Sequence, residues 1–333
     1  MPKSNYNKLE SYRDLPCELE ERAENALISE RQVAIRKSNK LIRDFTANMT
    51  TSQFRLANYI IGIAYTQNED LEVEFNIKRY CEICGIDYKS GYNYKQIKTD
   101  VKKLADRSLW VETFNDPNCS VLVRLINKFW IYRDSGIVKI RLDEDVKQYI
   151  SALAEQYNAY GRLYTSYAFL YTLPMRSVYS MRLYELLKSW ADAEWSEDDG
   201  HYWTVEHLQQ LLGSSYERYQ DFRRKVLEKS VEEINEYTDL NIAIEPIREG
   251  RVYKYINFII QPKTDQAIIK IQNELNKYLD FEKDIERAKR RAAKSSLPAN
   301  ANDQTTFAGC EDMPEPPLPD EHKSKKPGRP RKK

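Results

Sequence analysis

One plan is written twice in this chain, and that repetition limits its fold more than any other feature. Along Asp221–Asn235, the residues Phe222, Val226, Leu227, Val231 and Ile234 recur on one arc of a 3.6-period helix. Arg218, Arg224, Lys225 and Lys229 fall on or near the opposite face. Along Asn93–Leu109, Tyr94, Ile97, Val101 and Leu104 make the same apolar stripe, while Lys95, Lys98, Lys102 and Lys103 point elsewhere. Each copy is a helix with a core side and a basic side.

The flanks repeat as well. A shorter helix signal ends in glycine before each copy: Tyr80 to Ile83 before Gly85, and Val205 to Leu212 before Gly213. After each copy come two β-rich runs, Val121 to Tyr132 then Ile137 to Leu142, and Leu240 to Ile247 then Val252 to Ile260. The connections Arg133-Asp-Ser-Gly136 and Arg248-Glu-Gly-Arg251 put a glycine between alternating apolar residues, a hairpin signature. Helix, turn, helix, hairpin is the order of a winged helix, which commonly lays its second helix in the DNA major groove and rests its hairpin on the backbone beside it. The bland alternative is an ordinary α+β core whose lysines only keep it soluble. Two copies with basic outward faces favour the DNA-binding reading.

Each copy also has an opening helix. One runs from Met49 to Ile61 behind a threonine or serine cap, the other from Ser177 to Trp190 with Val178, Met181, Leu183, Tyr184, Leu187 and Trp190 on its buried side. Between the halves, Asp143 to Tyr171 reads as a helix, a break at Gly161 and a tyrosine-rich joint. After Pro262, Thr264 to Lys294 is a charged helix with Ile268, Ile271, Leu275, Tyr278, Leu279 and Ile285 at helical spacing, expected to dock or self-associate only weakly. From Ser295 the composition cannot bury enough apolar area to order itself.

The expected class is therefore α+β, two tandem winged-helix domains followed by a helical and then disordered extension. The boundaries are an N-terminal arm at 1–34, a first winged helix at 35–145, a connector at 146–172, a second winged helix at 173–262, a charged helix at 263–294 and a tail at 295–333. The tail ends in Lys323-Ser-Lys-Lys-Pro-Gly-Arg-Pro-Arg-Lys-Lys333, whose Gly-Arg-Pro-Arg centre is like an AT-hook. Arg329 and Arg331 would enter the narrow minor groove of A·T-rich DNA. The competing reading is a basic tail that only touches phosphates.

The 333 residues balance 52 basic against 51 acidic side chains, so a claim on DNA must rest on where the charges sit, not on the net +1. No apolar run approaches the roughly 20 residues of a bilayer-crossing helix and the N-terminus is polar, giving the expectation of a soluble intracellular protein. Five scattered cysteines argue against a disulfide framework. Cys81 and Cys84 form one Cys-x-x-Cys, but no second pair or spaced histidines complete a zinc site, so both read as small apolar side chains. Among three histidines there is no His-hydrophobic-His pair of the kind nicking enzymes use, and there is no Gly-x-x-x-x-Gly-Lys-Ser/Thr loop for ATP. Neither an enzyme nor a cofactor or metal is expected, and the 24 tyrosines read as core and interface aromatics.

Lys37-Ser-Asn39, Ser180-Met-Arg-Leu-Tyr-Glu-Leu-Leu-Lys188, Asp221-Phe-Arg-Arg-Lys225, Ile234-Asn235 and Thr238-Asp-Leu240 together resemble the plasmid replication initiators of the Rep_3 family. The resemblance covers residues 35 to 262. It implies binding to direct repeats, called iterons, at a plasmid origin; the hook-like tail departs from the family core, and an A·T-rich segment beside the repeats would be its natural target. It also implies a monomer that opens the origin, a homodimer that represses its own gene, host replication initiator and helicase as partners, and a place on plasmid and nucleoid DNA in a bacterial cytoplasm. A transcriptional repressor without a replication role shares the same fold.

Matched residue by residue, the resemblance puts Arg218, Arg223, Arg224 and Lys225 on the second domain's major-groove helix. Arg224 points away from the core and is the expected base reader, since arginine pairs bidentately with guanine O6 and N7. Arg218 and Lys225 lie beside it, Arg223 is better placed for a phosphate, and Lys229 is a phosphate contact. The wings would add Arg248, Arg251 and Lys254 on one side and Arg133 and Lys139 on the other, mainly to the backbone. The first-domain helix carries lysine without arginine, which favours positioning over reading.

Overall fold

The computed structural model describes residues 17–44, 49–67, 71–88, 91–112, 118–150, 157–158, 161–162, 164–191 and 202–295. In chain order, α1 (Cys17–Arg31), β1 (Ala34–Ser38) and α2 (Asn39–Asp44) lead into the first module. That module holds α3 (Thr51–Gln67), β2 (Glu72–Asn76), α4 (Ile77–Ile83), α5 (Gly91–Ala105), β3 (Ser108–Glu112), β4 (Ser120–Arg124), β5 (Ile126–Tyr132) and β6 (Ile137–Leu142). A 3-10 turn (Glu144–Val146), α6 (Lys147–Ile150), β7 (Tyr157–Asn158), β8 (Gly161–Arg162), β9 (Tyr164–Ala168) and a second 3-10 turn (Phe169–Thr172) follow. The second module holds α7 (Val178–Ala191), β10 (Tyr202–Thr204), α8 (Val205–Leu212), α9 (Tyr219–Phe222), a π turn (Arg223–Leu227), α10 (Glu228–Tyr237), β11 (Leu240–Glu249) and β12 (Val252–Pro262). Last comes α11 (Asp265–Ser295).

The fold is α+β, two tandem winged helices, and the repetition extends to single hydrogen bonds. Each module has a three-stranded antiparallel sheet of one topology, β2-β6-β5 and β10-β12-β11. The last residue of each first strand caps the next helix: Asn76 Oδ1 accepts from the Lys78 amide at 2.8 Å, and Thr204 Oγ1 from the His207 amide at 3.1 Å. The opening helices carry the expected hydroxyl caps, with the Gln53 amide donating to Thr50 Oγ1 and the Tyr179 amide to Ser177 Oγ. Among the described residues the glycines with left-handed backbone are Gly85 and Gly213, which end the paired helices, and Gly136 and Gly250, which turn the paired hairpins. A side chain resists that conformation, and so glycine occupies all four corners.

Burial follows the predicted stripes. In α5, Ile97, Val101 and Leu104 are buried and Tyr94 packs partly against them, while in the second module Phe222, Val226, Leu227 and Ile234 are buried with Val231 partly so. Tyr59 on α3 centres an aromatic group with Phe75, Tyr80 and Phe169, and Trp203 does the same for the second module with Trp190 and Phe258.

Four local expectations change. The run predicted from Val121 to Tyr132 is two strands: β4 turns back to pair with β3 in a separate hairpin, and only β5 joins β6. The joint between the halves contains β9, which pairs along its whole length with β1 from near the start of the chain. The helix through Asp221–Asn235 is not uniformly α-helical, because five residues separate Phe222 from Leu227, more than one α-turn, and a π turn brings both to the core. Finally, α11 does more than dock weakly, for Leu275 and Leu279 are buried.

The α11 contact centres on Arg31, a fully buried arginine from α1. Its Nε donates to Ile83 O at 3.0 Å and one terminal nitrogen to Glu82 O, covering the last carbonyls of α4. That same nitrogen also donates to Asp280 Oδ1 at 2.8 Å, and the other terminal nitrogen donates to Asn276 Oδ1 at 3.3 Å. A carbon added at Gly85 would lie 3.0 Å from Leu279 O, so α11 sits directly on that turn. A second buried polar group joins β1, α3, β9 and α7. Lys37 Nζ donates to Asn58 Oδ1 and Glu185 Oε1, both at 2.6 Å, and the Tyr167 hydroxyl donates to the same carboxylate.

Candidate nucleic-acid interface

Asp221-Phe-Arg-Arg-Lys225 builds the exposed cationic surface of the second module from alternating duties. Phe222 is completely buried and fixes the rotation of the helix, which turns its neighbours outward. The side chains of Arg218 and Arg224 are 77 % and 72 % exposed and that of Lys225 is 49 % exposed. Arg223 lies lower and pairs with Glu228 at 2.9 Å, across the π turn that the Glu228 amide closes on Arg223 O. Lys229, one residue beyond, is exposed.

The residues around this surface hold it in place. Asn235 receives the Ile242 amide at 2.6 Å and donates to Ile242 O at 2.9 Å, bolting α10 to β11. Asp239 accepts from the Tyr184 hydroxyl at 2.8 Å and pairs with Lys188 at 2.9 Å, which ties the end of α10 to α7. Arg182 is buried and donates to Leu211 O at 2.7 Å; burial lowers its pKa to about 10. Thus Lys37, Arg182, Glu185, Asn235 and Asp239, all in the motifs that carried the resemblance, frame the interior, and only the Asp221–Lys225 motif presents its cations to solvent.

The wing is docked onto the same surface. Tyr219 of α9 stacks on Tyr253 of β12, ring centroids 4.6 Å apart, and the Arg248 guanidinium lies 4.2 Å from the centre of the Tyr253 ring and donates to its hydroxyl. Arg251 is exposed beside Gly250 at the tip. Lys254 pairs with Glu249, whose carboxylate raises the lysine pKa. The tyrosines were missed in the sequence. Their signal was faint: a tyrosine next to Arg218 and another facing Arg248 in the hairpin register.

In the first module Lys95 and Lys102 are exposed along α5, and Lys98 is half-buried with its ammonium 5.5 Å from the Tyr94 ring. Asp100, between them in sequence, is buried and bonds Ser52 Oγ at 2.6 Å and Gln53, anchoring α5 to the start of α3. Arg133 is exposed at the hairpin turn. Lys139 sits mid-strand, paired with Glu72 at 2.5 Å and near the Trp130 ring; that bond raises the lysine pKa, and bonds from Lys139 and Arg141 lower that of Glu72. Arg329 and Arg331 lie outside the described residues.

Cys81 and Cys84 are buried thiols, and burial pushes Cys84 up to about 11. Among the described residues no group of three or more His, Cys, Asp or Glu could hold a metal ion, and no helix is long and apolar enough to cross a membrane.

Two family models match the chain: the initiator replication protein WH1 model over residues 34–188 and the initiator Rep protein WH2 model over residues 204–260. The first match ends within α7, which packs on α10 and β12. Among solved structures, the Pi initiator protein in complex with iteron DNA aligns with a TM-score of 0.55 at 17% identity, covering 71% of this chain and 99% of that one. Domains 2 and 3 of RctB align at a TM-score of 0.38 and 11% identity, covering 63% of this chain and 80% of that one. The Pi likeness is one of fold, and it agrees with the two matched domains. With both of its winged helices matched in order, the chain belongs to the initiator replication protein family.

Proposed function

We propose that this protein initiates plasmid replication by binding direct repeats of double-stranded DNA, the iterons of an origin, through both winged helices. The observation that carries the reading is the exposed cationic face of each second helix: Arg218, Arg224 and Lys225 in one module, Lys95 and Lys102 in the other, each set opposite a buried stripe. The matched family domains and the likeness to an initiator bound to iteron DNA support it. Arg224 reads a guanine edge with Arg218 and Lys225 beside it; Lys229, Arg223 and the wing residues Arg248, Arg251 and Lys254 grip the backbone around it. Lys95, Lys98, Lys102, Arg133 and Lys139 set the first module on phosphates.

The protein acts without chemistry of its own, in the bacterial cytoplasm on plasmid DNA. It represses its own gene as a homodimer in equilibrium with monomer, and passes the opened origin to host initiator and helicase. The family resemblance supports these last roles. Arg329 and Arg331 engage A·T-rich DNA beside the repeats.

The decisive test is autonomous replication of a plasmid carrying the gene and its flanking DNA, with and without an early stop codon. Replication that needs the intact gene is the expected result. Replication indifferent to the stop codon, with the purified protein still shifting the promoter, would leave a repressor alone.

A further inference from the structure

We propose that Asp221 sets the sequence selectivity of the second module, acting as a positioning carboxylate that keeps the reading cations off phosphate and accepts a hydrogen bond from the amino group of a base edge. The proposal rests on the DNA reading above. Three cations converge on this one side chain: Arg224 at 3.4 Å and Lys225 at 3.6 Å from Oδ1, and Arg218 at 3.7 Å from Oδ2. The carboxylate is 27 % exposed against 49 to 77 % for the three cations, so the cations gather over a partly sheltered negative charge. The Asp221 amide is itself bonded to Arg218 O at 3.0 Å, which fixes the carboxylate at the start of the helix.

A phosphate and a base edge meet this arrangement differently. To bind a phosphate, the cations must leave Asp221 while a second negative charge is brought up to it, and the carboxylate opposes the contact. A guanine with a cytosine beside it in the major groove satisfies both signs: Arg224 donates to guanine O6 and N7, and Asp221 accepts from cytosine N4. The carboxylate therefore selects for a base edge and against backbone, the repulsive half of specificity. An acidic residue in a first helical turn also complements the helix dipole, but that role predicts a change in stability alone.

The test uses the full-length chain and its Asp221→Asn variant, with Asp221→Glu as a charge-preserving control. The wild-type chain first selects duplexes from a randomised pool. Affinity for the selected duplex and for a mixed-sequence duplex is then measured across a salt series. Asp221→Asn is expected to bind the mixed duplex roughly three- to tenfold more tightly, as exposed ion pairs of this kind are weak. Its salt dependence on that duplex should steepen by about one unit as cations reach phosphate. Preference for the selected duplex should fall, chiefly through a lost cytosine preference beside one guanine, and Asp221→Glu should recover part of it. Unchanged discrimination and an unchanged salt slope in Asp221→Asn, with wild type still selective, overturn the proposal and leave the DNA reading intact. A wild-type chain that selects nothing from the pool overturns both.

Discussion

The two modules share caps, glycine corners and sheet order, yet they differ in what they do with charge. The second puts two arginines and a lysine over one carboxylate and carries a long hairpin of ten- and eleven-residue strands, whose Gly250 tip has no atom within 4 Å of an added carbon. The first offers lysines on α5 and a shorter hairpin whose turn is pinned by the Asn76 amide group donating to Ser135 O at 2.9 Å. Guanidinium groups suit bidentate pairing with bases, and ammonium groups suit point contacts with phosphate. One scaffold, doubled, thus carries two kinds of cationic face, and the first copy has in addition the β3–β4 hairpin with its exposed Trp110.

The comparison presumes that the halves are welded at their interior, and the largest effect is expected there. Glu185→Gln leaves the Lys37 ammonium buried without its carboxylate, at a cost of about 3–5 kcal/mol. Burial already holds Lys37 below the ordinary lysine range despite that partner. Urea unfolding followed by far-ultraviolet circular dichroism should show one transition moved to lower denaturant; a loss of under about 1 kcal/mol would show that the weld is not structural.

Next in size is the reader itself. Arg224→Ala should cost about 1–3 kcal/mol on the preferred repeat and relax discrimination at a single base pair in a substitution scan of the duplex. A uniform loss across all sequences would move Arg224 to the gripping side. The paired change Lys95→Ala with Lys102→Ala should weaken preferred and mixed duplexes alike and flatten the salt slope by about two units, measured by fluorescence anisotropy. Loss of preference in that variant would erase the division between the modules.

The smallest effect is a matter of chemistry rather than affinity. The described cysteines lie outside the second module, so they report on the first one alone. With its pKa raised to about 11, the Cys84 thiol stays protonated at neutral pH, and iodoacetamide at pH 7.5 should label exposed Cys119 well before Cys81 or Cys84 by peptide mapping. Protection should vanish in urea, and early loss of it in Glu185→Gln would place the damage in the first module.

Much of this was legible in the chain. Stripes such as Ile97, Val101 and Leu104, the turn glycines and the hydroxyl caps are local, and local rules found them. The features that escaped depend on distance or on small departures from period. β1 and β9 are short strands far apart in sequence, and neither carries a mark of its partner. Val121 to Tyr132 reads as one apolar run because the reversal at Leu125 uses no glycine or proline. The π turn shifts the helix by a single residue, below what an apolar stripe resolves. Asp221 was read as part of a motif, but its three cationic neighbours could be counted only in space.

Arg31 has a practical consequence. The segments matched by the family domains run from 34 to 188 and from 204 to 260, and both α1 and α11 fall outside them. A chain pruned at both ends to those limits would shed Arg31 with α1 and Leu275, Asn276 and Leu279 with α11, baring the end of α4 and the turn at Gly85 to water. The first module would then lose the cover that its own sequence does not encode, and an excised half would be a poorer folder than the same residues inside the intact protein.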